Sequence, residues 1–382
     1  MYSNSMQSQP PVVTPRPRLV VIGNGMAGIR TVEELLKLAP ERYEISVIGE
    51  ERHGNYNRIL LSPVLSGEKT IGDIMLNDDD WYARNNICFY KGEKAVRIDR
   101  RQRMVHTENG LSISYDKLLI ATGSVPFIIP LPGNELKNVM SFRDISDVNG
   151  MLSLAKTKRR AAVIGGGLLG LEAAYGLLKQ GLDVTVIHNS KTLLNRQLDE
   201  TAGKLLQKTL EDKGIRFLVN AQTDAIEGNA EGEVRAIRFK NLPTLDTDMV
   251  VMAVGVRPNI ALAKSCGLQT SHGILVNDTL QTFDPAIYAV GECVQHRGEL
   301  FGLVAPLFEQ AKVCANHLAE LGIAIYVRKP TATQLKITGI NVYSAGDFMG
   351  QEGCEYLHYH DAALGHYKRL VVRAGKLTGA VL

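Results

Sequence analysis

The chain has 382 residues, which is long enough for two or three domains with ample hydrophobic cores. Hydrophobic residues make up 45% and charged residues 22%, and 43 basic against 40 acidic residues leave a formal net charge of +3. This balance argues against a nucleic-acid partner, and because no apolar run reaches about 18 residues we expect neither a membrane-spanning helix nor a membrane partner.

The N-terminal segment predicts a disordered tail. Residues 1–17 are polar, contain four prolines and lack the apolar core of a signal peptide, so we expect a cytoplasmic protein. The five cysteines agree with that compartment, because none forms a C-x-x-C or C-x₄-C pair, and we expect reduced thiols. The spacing of His358, His360 and His366 fits no common ligand set, so no metal site is predicted.

A glycine-rich turn near the N-terminus carries the first functional signal. An apolar run typical of a β-strand ends at Gly23, and Gly25 and Gly28 complete a G-x-G-x-x-G pattern before a predicted helix over 29–38. Glycine at these places permits a tight turn, close approach of a pyrophosphate and close packing of the helix on the strand. The N-terminus of the helix then attracts the anion. The pattern therefore predicts a dinucleotide site.

The next segment supports this prediction. A strand over 43–48 ends beside Glu50, about 20 residues after the last glycine, where an acidic residue binds the ribose of a dinucleotide. Short runs over 87–114 predict a three-stranded β-meander, and the apolar run over 115–123 predicts a buried strand that ends in a turn of small residues.

The same pattern recurs in the middle of the chain. A strand over 161–164 leads into Gly165, Gly167 and Gly170, and a helix is predicted over 168–178. Further predicted elements are helices over 144–155, 199–213 and 304–321, strands over 183–187, 216–219, 233–239, 249–254, 273–276 and 286–291, and a β-rich region from about 329 that includes 336–344 and 370–372.

Two such patterns predict an α/β fold with two Rossmann-like dinucleotide-binding domains, the second inserted in the first, and a smaller β-rich C-terminal region. Two phosphate cradles require two ligands, and FAD held permanently with NAD(P)H as substrate is a pair between which a hydride can pass. The predicted boundaries are a tail over 1–17, an FAD-binding domain over 18–140 and 270–325, an NAD(P)-binding domain over 141–269, and a C-terminal domain over 326–382, whose last residues we interpret as the unfinished β-hairpin of a truncated domain.

Longer motifs resemble a known group of flavoproteins. The segments 115–124, 251–259 and 287–292 are similar to two linker motifs and the FAD-contacting motif of the FAD/NAD(P)-dependent pyridine nucleotide–disulfide oxidoreductase superfamily, whose fold is glutathione-reductase-like. Within it, the chain resembles the flavoprotein portion of the NAD(P)H-dependent nitrite reductase large subunit, and next the NADH:rubredoxin reductases. The motifs that carry this narrower likeness are Tyr56–Ser62, Asp80–Tyr82, Gly165–Ala174, Arg196–Asp199, Gly291–Cys293 and Leu335–Ile340.

The resemblance implies roles for individual residues. The first pattern would hold FAD and the second the NAD(P)H pyrophosphate, Arg58 would direct a cation at the FAD phosphates, and His296, Arg297 and the segment 302–306 would line the flavin ring. Glu292 stands where relatives carry aspartate. The predicted cofactor-binding residues are Gly23, Gly25, Gly28, Glu50, Arg58, Val96, Ala121, Thr122, Gly123, Gly165, Gly167, Gly170, His188, Gly255, Gly291, Glu292 and Leu303.

Chemistry and coenzyme choice depend on a few positions. Glu172 corresponds to a residue at the nicotinamide–flavin contact of relatives and is the predicted catalytic residue, although the lysine that often pairs with it is replaced by Pro63. His188 stands where an acid would bind the ribose 2′-hydroxyl, and with Lys191 it could attract a 2′-phosphate. The family likeness favours NADH, so both coenzymes stay open. Cys293 is predicted to be a small buried residue, and without a cysteine pair disulfide chemistry is excluded.

These features predict an FAD-dependent NAD(P)H oxidoreductase whose reduced flavin passes electrons one at a time to an iron centre or two at a time to a small oxidant. The resemblance implies an acceptor protein or domain of the iron–sulfur, sirohaem or rubredoxin type. The resemblance implies an electron-input module of assimilatory nitrite or nitrate reduction, either a fragment of a larger subunit or a stand-alone protein, and is compatible with a homodimer. Alternatives are a NADH:rubredoxin or ferredoxin reductase and a non-catalytic flavin-bound redox sensor or assembly module. An NADH oxidase is disfavoured, because residues 60–62 lack the cysteine of relatives with that activity.

Overall fold

The computed structural model describes residues 15–335, 337, 339–361 and 364–382. The predicted tail over 1–17 lies almost wholly outside the described residues, as do Lys336 and Thr338 of the motif at 335–340. The described residues form two five-stranded parallel sheets, a five-stranded antiparallel sheet near the C-terminus and five smaller sheets.

The helices of the described residues are numbered in chain order. Each of them falls short of the length and hydrophobicity that a bilayer crossing requires. They are α1 (Met26–Leu38), α2 (Leu61–Leu65), α3 (Asp79–Arg84), α4 (Ile145–Ala155), α5 (Leu168–Lys179), α6 (Glu200–Asp212), α7 (Ala261–Ser265) and α8 (Val304–Leu318), with 3₁₀ turns at Arg58–Leu60 and Gly72–Ile74.

The strands are numbered in the same way. They are β1 (Arg18–Ile22), β2 (Glu44–Gly49), β3 (Asn55–Tyr56), β4 (Met75–Asn77), β5 (Cys88–Lys91), β6 (Ala95–Asp99), β7 (Met104–Thr107), β8 (Ser112–Ser114), β9 (Lys117–Ile120), β10 (Ser124–Pro126), β11 (Val139–Met140), β12 (Arg160–Ile164), β13 (Asp183–Ile187), β14 (Arg216–Leu218), β15 (Thr223–Gly228), β16 (Val234–Phe239), β17 (Leu245–Asp246), β18 (Met249–Met252), β19 (Val256–Pro258), β20 (Ile274–Val276), β21 (Ile287–Ala289), β22 (Val294–His296), β23 (Ala332–Gln334), β24 (Tyr343–Gly346), β25 (Glu355–Asp361), β26 (His366–Arg373) and β27 (Lys376–Val381).

The first parallel sheet has the strand order β21-β9-β1-β2-β5. Its strands are short apolar runs such as residues 19–22, which are buried on both faces as a parallel sheet requires. Helix α1 packs against α8, and the Tyr43 hydroxyl donates to the Leu318 carbonyl oxygen (2.8 Å), which ties the chain before β2 to the end of α8. The strand predicted over 273–276 does not join this sheet, because β20 pairs in parallel with β22 instead.

The second parallel sheet has the order β11-β18-β12-β13-β14 and follows the second glycine pattern. Helix α5 packs against its central strands β12, β13 and β18. Helix α2, which comes from the first half of the chain, also packs on α5, and its residues Leu61 and Leu65 share a hydrophobic core with Leu171 of α5. The two nucleotide-binding units are therefore joined by apolar packing as well as by the chain. The three-stranded meander predicted within 87–114 is confirmed as β6, β7 and β8, whereas β5 joins the first parallel sheet.

The C-terminal residues form the antiparallel sheet β23-β24-β27-β26-β25. The hairpin that we interpreted as unfinished has both of its strands, because β27 pairs with β26 on one side and with β24 on the other. Leu335, Ile337 and Val381 lie in the same core as α5. The Tyr367 hydroxyl donates to Asp199, just before α6 (3.1 Å). The C-terminal sheet is therefore anchored on the second unit.

The third glycine of the first pattern is a packing position, and its substitution tests that role. A Cβ at Gly28 would lie 2.8 Å from the Gly23 carbonyl oxygen and 2.9 Å from the Ala121 Cβ. Overpacking costs about 1–3 kcal/mol, and the gain in helix propensity, about 1 kcal/mol, offsets only part of it. We expect Gly28→Ala to lower the free energy of unfolding of the ligand-free protein by about 1–2 kcal/mol in urea denaturation. Equal stability of wild type and variant would contradict this packing role.

Candidate functional site

The two glycine patterns open onto one cavity of about 1980 Å³. A pocket for one small ligand usually measures about 300–1,000 Å³, so this space exceeds the need of a single nucleotide. Its wall contains Gly23 and Gly25 of the first pattern and Gly165 and Gly167 of the second. The cavity therefore accommodates two dinucleotides in one continuous space.

A glycine with a left-handed backbone directly follows β1 in the first parallel sheet and β12 in the second. Gly23 has a φ of +109°, and a Cβ there would lie less than 3.0 Å from the Ala121 carbonyl oxygen. Gly165 has a φ of +126°, and a Cβ there would likewise lie less than 3.0 Å from the Ala253 carbonyl oxygen. Only glycine adopts this turn without strain, so the sequence requirement and the observed geometry agree in both units.

The longer helices differ in how they begin. Helices α4 and α6 have Asp144 and Asp199 as N-caps, and each carboxylate accepts a hydrogen bond from a backbone N–H of the first turn. Helices α1, α5 and α8 begin at Gly25, Gly167 and Leu303, which make no side-chain cap. All three of these residues line the cavity. The cavity is therefore faced by helix N-termini whose N–H groups and partial positive charge suit an anionic ligand.

Open space lies directly over the second glycine of each pattern. A Cβ at Gly25 or at Gly167 would meet no atom of the described chain within 4 Å. A pyrophosphate can therefore reach the backbone at both turns, as the dinucleotide pattern requires. The residues present thus fit FAD and NAD(P)H, one at each turn.

A series of ion pairs crosses the cavity wall near the first glycine turn. Arg58 pairs with Glu51, and its Nη1 donates to the Arg143 carbonyl oxygen (3.3 Å). The Arg143 Nη2 lies 2.5 Å from the Glu292 Oε2, which also accepts from the Ser124 hydroxyl (2.7 Å). Both guanidinium groups line the cavity. Sequence reasoning missed Arg143, whose only signal is a basic residue directly before the aspartate that caps α4.

The structure brings most of the predicted residues into this wall. Gly28 and Gly170 lie outside it and pack their helices against the preceding turns. The Glu50 carboxylate is exposed and pairs with Lys94 (2.7 Å). The predicted residues that line the cavity are Gly23, Gly25, Glu50, Arg58, Val96, Ala121, Thr122, Gly123, Gly165, Gly167, Glu172, His188, Gly255, Gly291, Glu292 and Leu303.

Glu172 lies where the two units meet. It belongs to α5, is 9% exposed and lines the cavity. Its Oε2 accepts a hydrogen bond from the Ser62 hydroxyl of α2 (2.6 Å). The Gln180 Nε2 donates to the Leu65 carbonyl oxygen (2.8 Å) and further holds α2 on α5. The hydroxyl of Ser62, directly before Pro63, is thus the partner that α2 offers to this carboxylate.

His188 follows β13 in the cavity wall, and both of its ring nitrogens have partners. The Gly166 N–H donates to Nδ1 (3.3 Å), and Nε2 lies 3.1 Å from the Thr192 carbonyl oxygen. Burial lowers the pKa of His188, so the ring is neutral near pH 7. Lys191 pairs with Glu200 (2.5 Å). We expected His188 and Lys191 to attract a 2′-phosphate. In the structure His188 is neutral and the charge of Lys191 is paired, so neither residue offers an unpaired positive charge to a phosphate.

Two residues predicted to line the flavin region lie elsewhere. The His296 Nε2 and the Arg297 Nη2 both contact the Asp278 carboxylate, at 2.8 and 2.6 Å, and neither residue lines the cavity. This carboxylate, together with Tyr326 packed against the His296 ring, holds both side chains away from the cavity. Cys293 is fully buried, as predicted, and burial raises the pKa of its thiol to about 11.

Two family models match the chain. Residues 17–317 match the family described as pyridine nucleotide-disulphide oxidoreductase. Residues 331–382 match the rubredoxin NAD+ reductase C-terminal domain. Together they cover the two parallel sheets and the C-terminal antiparallel sheet.

Similar proteins include two from Bacillus subtilis (strain 168). The chain is 50% identical over 365 residues to a nitrite reductase (NAD(P)H), covering 96% of this chain and 45% of that protein. It is 47% identical to an assimilatory nitrate reductase electron transfer subunit, covering 96% and 47%. The crystal structure of NADH:rubredoxin oxidoreductase from Clostridium acetobutylicum superposes with a TM-score of 0.79 at 27% identity, covering 96% of this chain and 91% of that chain. The chain spans about half the length of these two curated relatives.

Proposed function

The chain belongs to the pyridine nucleotide-disulphide oxidoreductase family of FAD-dependent NAD(P)H oxidoreductases, and on that premise we propose that it is the electron-input module of an assimilatory nitrite or nitrate reductase. The observation that carries this proposal is the single cavity onto which both glycine turns and three uncapped helices open. Two dinucleotides that exchange a hydride need such a shared space.

The first glycine turn would hold FAD. Gly23 and Gly25 leave backbone N–H groups for its pyrophosphate, and Glu50 stands at the end of β2 for its ribose. Arg58 and Arg143 bring two guanidinium groups to the same wall, where forked N–H donors suit phosphate oxygens. The neighbouring carboxylates would keep both arginines in place.

The second glycine turn would hold NAD(P)H. Gly165 and Gly167 repeat the geometry of the first turn, and the N-terminus of α5 faces the coenzyme pyrophosphate. The domain boundaries that we propose are 18–140 with 270–325 for FAD, 141–269 for NAD(P)H and 326–382 for the C-terminal sheet.

The protein's own contribution to the reaction is positioning. When bound, FAD supplies an acceptor for a hydride that can release electrons singly or in pairs. Glu172, held by Ser62 between the two units, would accept a hydrogen bond from the nicotinamide carboxamide and fix the ring at the reacting distance. Hydride transfer needs no general acid or base, so orientation and exclusion of water provide the catalysis.

Electrons must then leave through a partner. No residue of the described cavity wall is a cysteine, so a sulfur relay is absent there. We propose an acceptor protein or domain of the iron–sulfur, sirohaem or rubredoxin type. The name of the similar nitrate reductase electron transfer subunit supports the proposed role as the electron-input module of a nitrite or nitrate reductase. The match of residues 331–382 to a rubredoxin reductase domain favours a second candidate, a rubredoxin or ferredoxin reductase.

Anaerobic stopped-flow absorbance tests the proposal. The FAD-loaded protein is mixed with NADH or NADPH, and the flavin band should bleach rapidly with at least one of them. Reduced protein is then mixed with oxidised rubredoxin, with a [2Fe–2S] ferredoxin or with a sirohaem nitrite reductase domain, and rapid reoxidation identifies the acceptor class. Failure of both coenzymes to bleach the flavin would overturn the reductase proposal and favour a non-catalytic flavin-bound module.

The contact between Ser62 and Glu172 yields a separate prediction. Ser62→Ala removes one hydrogen bond from the Glu172 carboxylate, which is then held less firmly toward the nicotinamide, and hydrogen bonds to charged groups contribute about 1.5–3 kcal/mol. We expect flavin reduction at saturating coenzyme to slow by about tenfold, while the coenzyme dissociation constant changes by less than about threefold. Ser62→Thr, which keeps a hydroxyl, should restore most of the rate. Equal rates in wild type and Ser62→Ala, at equal FAD content, would refute this positioning role.

A further inference from the structure

The loop between β13 and α6 forms part of the wall beside the second glycine turn. It folds back over that turn, because the Leu194 N–H donates to the Gly166 carbonyl oxygen (3.0 Å). The Asn195 side chain donates to the Ser190 hydroxyl (3.1 Å) and closes the loop on itself. Residues 194–197 consequently line the same cavity as the turn. This loop follows the second strand of the sheet, where dinucleotide-binding folds recognise the adenosine ribose.

No carboxylate in this loop is available to a ribose. Residues 188–191, directly after β13, contain no acid. Asp199 caps α6, and Glu200 binds both Lys191 (2.5 Å) and Lys204 (2.8 Å). These two lysines lower the pKa of Glu200 to about 2, so its carboxylate stays ionised and is paired twice. An acid that would bind a 2′-hydroxyl and repel a 2′-phosphate is therefore missing.

Arg196 is the positively charged residue of this loop that can contact a bound anion, because Lys191 is already paired with Glu200. Its side chain is exposed and lines the cavity. Within the part of the chain that the structure describes, it makes no hydrogen bond and no ion pair. Asn189, Ser190 and Gln222 share the wall and are neutral. The guanidinium is permanently charged, and its forked donors match the geometry of a phosphate.

We propose that Arg196 binds the 2′-phosphate of NADPH, so that the protein accepts NADPH at least as well as NADH. The inference rests on the proposed function, since it needs a nicotinamide coenzyme at the second glycine turn. His188, which is neutral and held through both ring nitrogens, and Lys191, which is paired with Glu200, take no part. The choice between NADH and NADPH thus depends on Arg196, which lies eight positions after His188, the position at which the dinucleotide-binding pattern places the ribose-binding acid.

Two adenosine ligands without a nicotinamide test the inference directly. Adenosine 2′,5′-bisphosphate and adenosine 5′-monophosphate are titrated calorimetrically into the FAD-loaded wild type, Arg196→Ala and Lys191→Ala. We expect wild type to bind the bisphosphate more tightly than the monophosphate. Arg196→Ala should weaken the bisphosphate about 10- to 100-fold and the monophosphate by less than about threefold. Lys191→Ala, the matched control, should change either by less than about threefold.

Stopped-flow reduction separates this inference from the proposed function. Arg196→Ala should keep the wild-type response to NADH but need at least about tenfold more NADPH for half-maximal bleaching. Equal weakening of both adenosine ligands in Arg196→Ala, or no preference for the bisphosphate in wild type, would overturn the inference even while NADH still bleaches the flavin. If neither coenzyme bleached the flavin, the proposed function would fail and the calorimetric result alone would decide the role of Arg196.

Discussion

Gly25→Ala is expected to give a folded protein that has lost most of its affinity for FAD. The backbone at Gly25 (φ −82°, ψ 176°) is extended, a conformation that alanine also adopts. The added methyl group would meet no atom of the described chain within 4 Å, so folding should tolerate it. It would instead occupy the space through which the pyrophosphate reaches the backbone. Losing one such charged hydrogen bond, about 1.5–3 kcal/mol, weakens FAD binding roughly 10- to 100-fold.

The measurement is a titration of the FAD-free protein with FAD, followed by quenching of flavin fluorescence. Gly28→Ala is the internal comparison, because its methyl group would clash within the protein and lower stability instead. Urea denaturation followed by circular dichroism should therefore show lower stability for Gly28→Ala than for Gly25→Ala. The titration should show the weaker FAD binding in Gly25→Ala. Wild-type FAD affinity in Gly25→Ala would show that the first turn is not the pyrophosphate site.

Gly167→Ala is expected to keep its FAD and to lose reduction by the coenzyme. Gly167 has the same extended backbone (φ −87°, ψ −179°) and the same open space as Gly25, but it begins α5 in the second unit. The methyl group should therefore raise the NAD(P)H concentration needed for half-maximal bleaching by about 10- to 100-fold. Stopped-flow absorbance of the yellow, FAD-loaded variant at increasing NADH and NADPH measures this.

The pair of glycine variants assigns the ligands as well as the sites. If Gly167→Ala lost FAD while Gly25→Ala kept it, the two cradles would hold the reverse of what we propose. Matched losses in both variants would instead point to a fold that cannot tolerate either methyl group, which the circular dichroism spectra would reveal.

The sequence predicted the parts of the site that depend on local sterics. Gly23 and Gly165 must be glycine because of their own φ angles, +109° and +126°, and that need appears directly in the G-x-G-x-x-G spacing. The strands around them were predictable for the same reason, since buried parallel strands are short apolar runs. The uncapped starts of α1 and α5 follow from the second glycines of the two patterns, Gly25 and Gly167, which have no side chain that could cap a helix.

Contacts between distant residues were not predictable from pattern. Arg143 and Glu292 are 149 positions apart, and Ser62 and Glu172 are 110 positions apart. Nothing local in the sequence indicates that either pair meets. The placement of His296 beside Asp278, away from the cavity, likewise depends on the pairing of β20 with β22, which the sequence did not reveal. The sequence pattern thus located the two glycine turns, whereas the side chains that meet between them could be identified only from the folded structure.

Another consequence concerns the order in which this chain can fold as it is made. Ala289 of β21 pairs with Ile120 of β9, and α8, which follows β21, covers α1. The whole second parallel sheet is synthesised between these partners. At typical translation rates of about 5–20 residues per second, that interval lasts on the order of ten to thirty seconds. The second sheet can therefore close on the ribosome while the apolar side of α1 still waits for its covering helix.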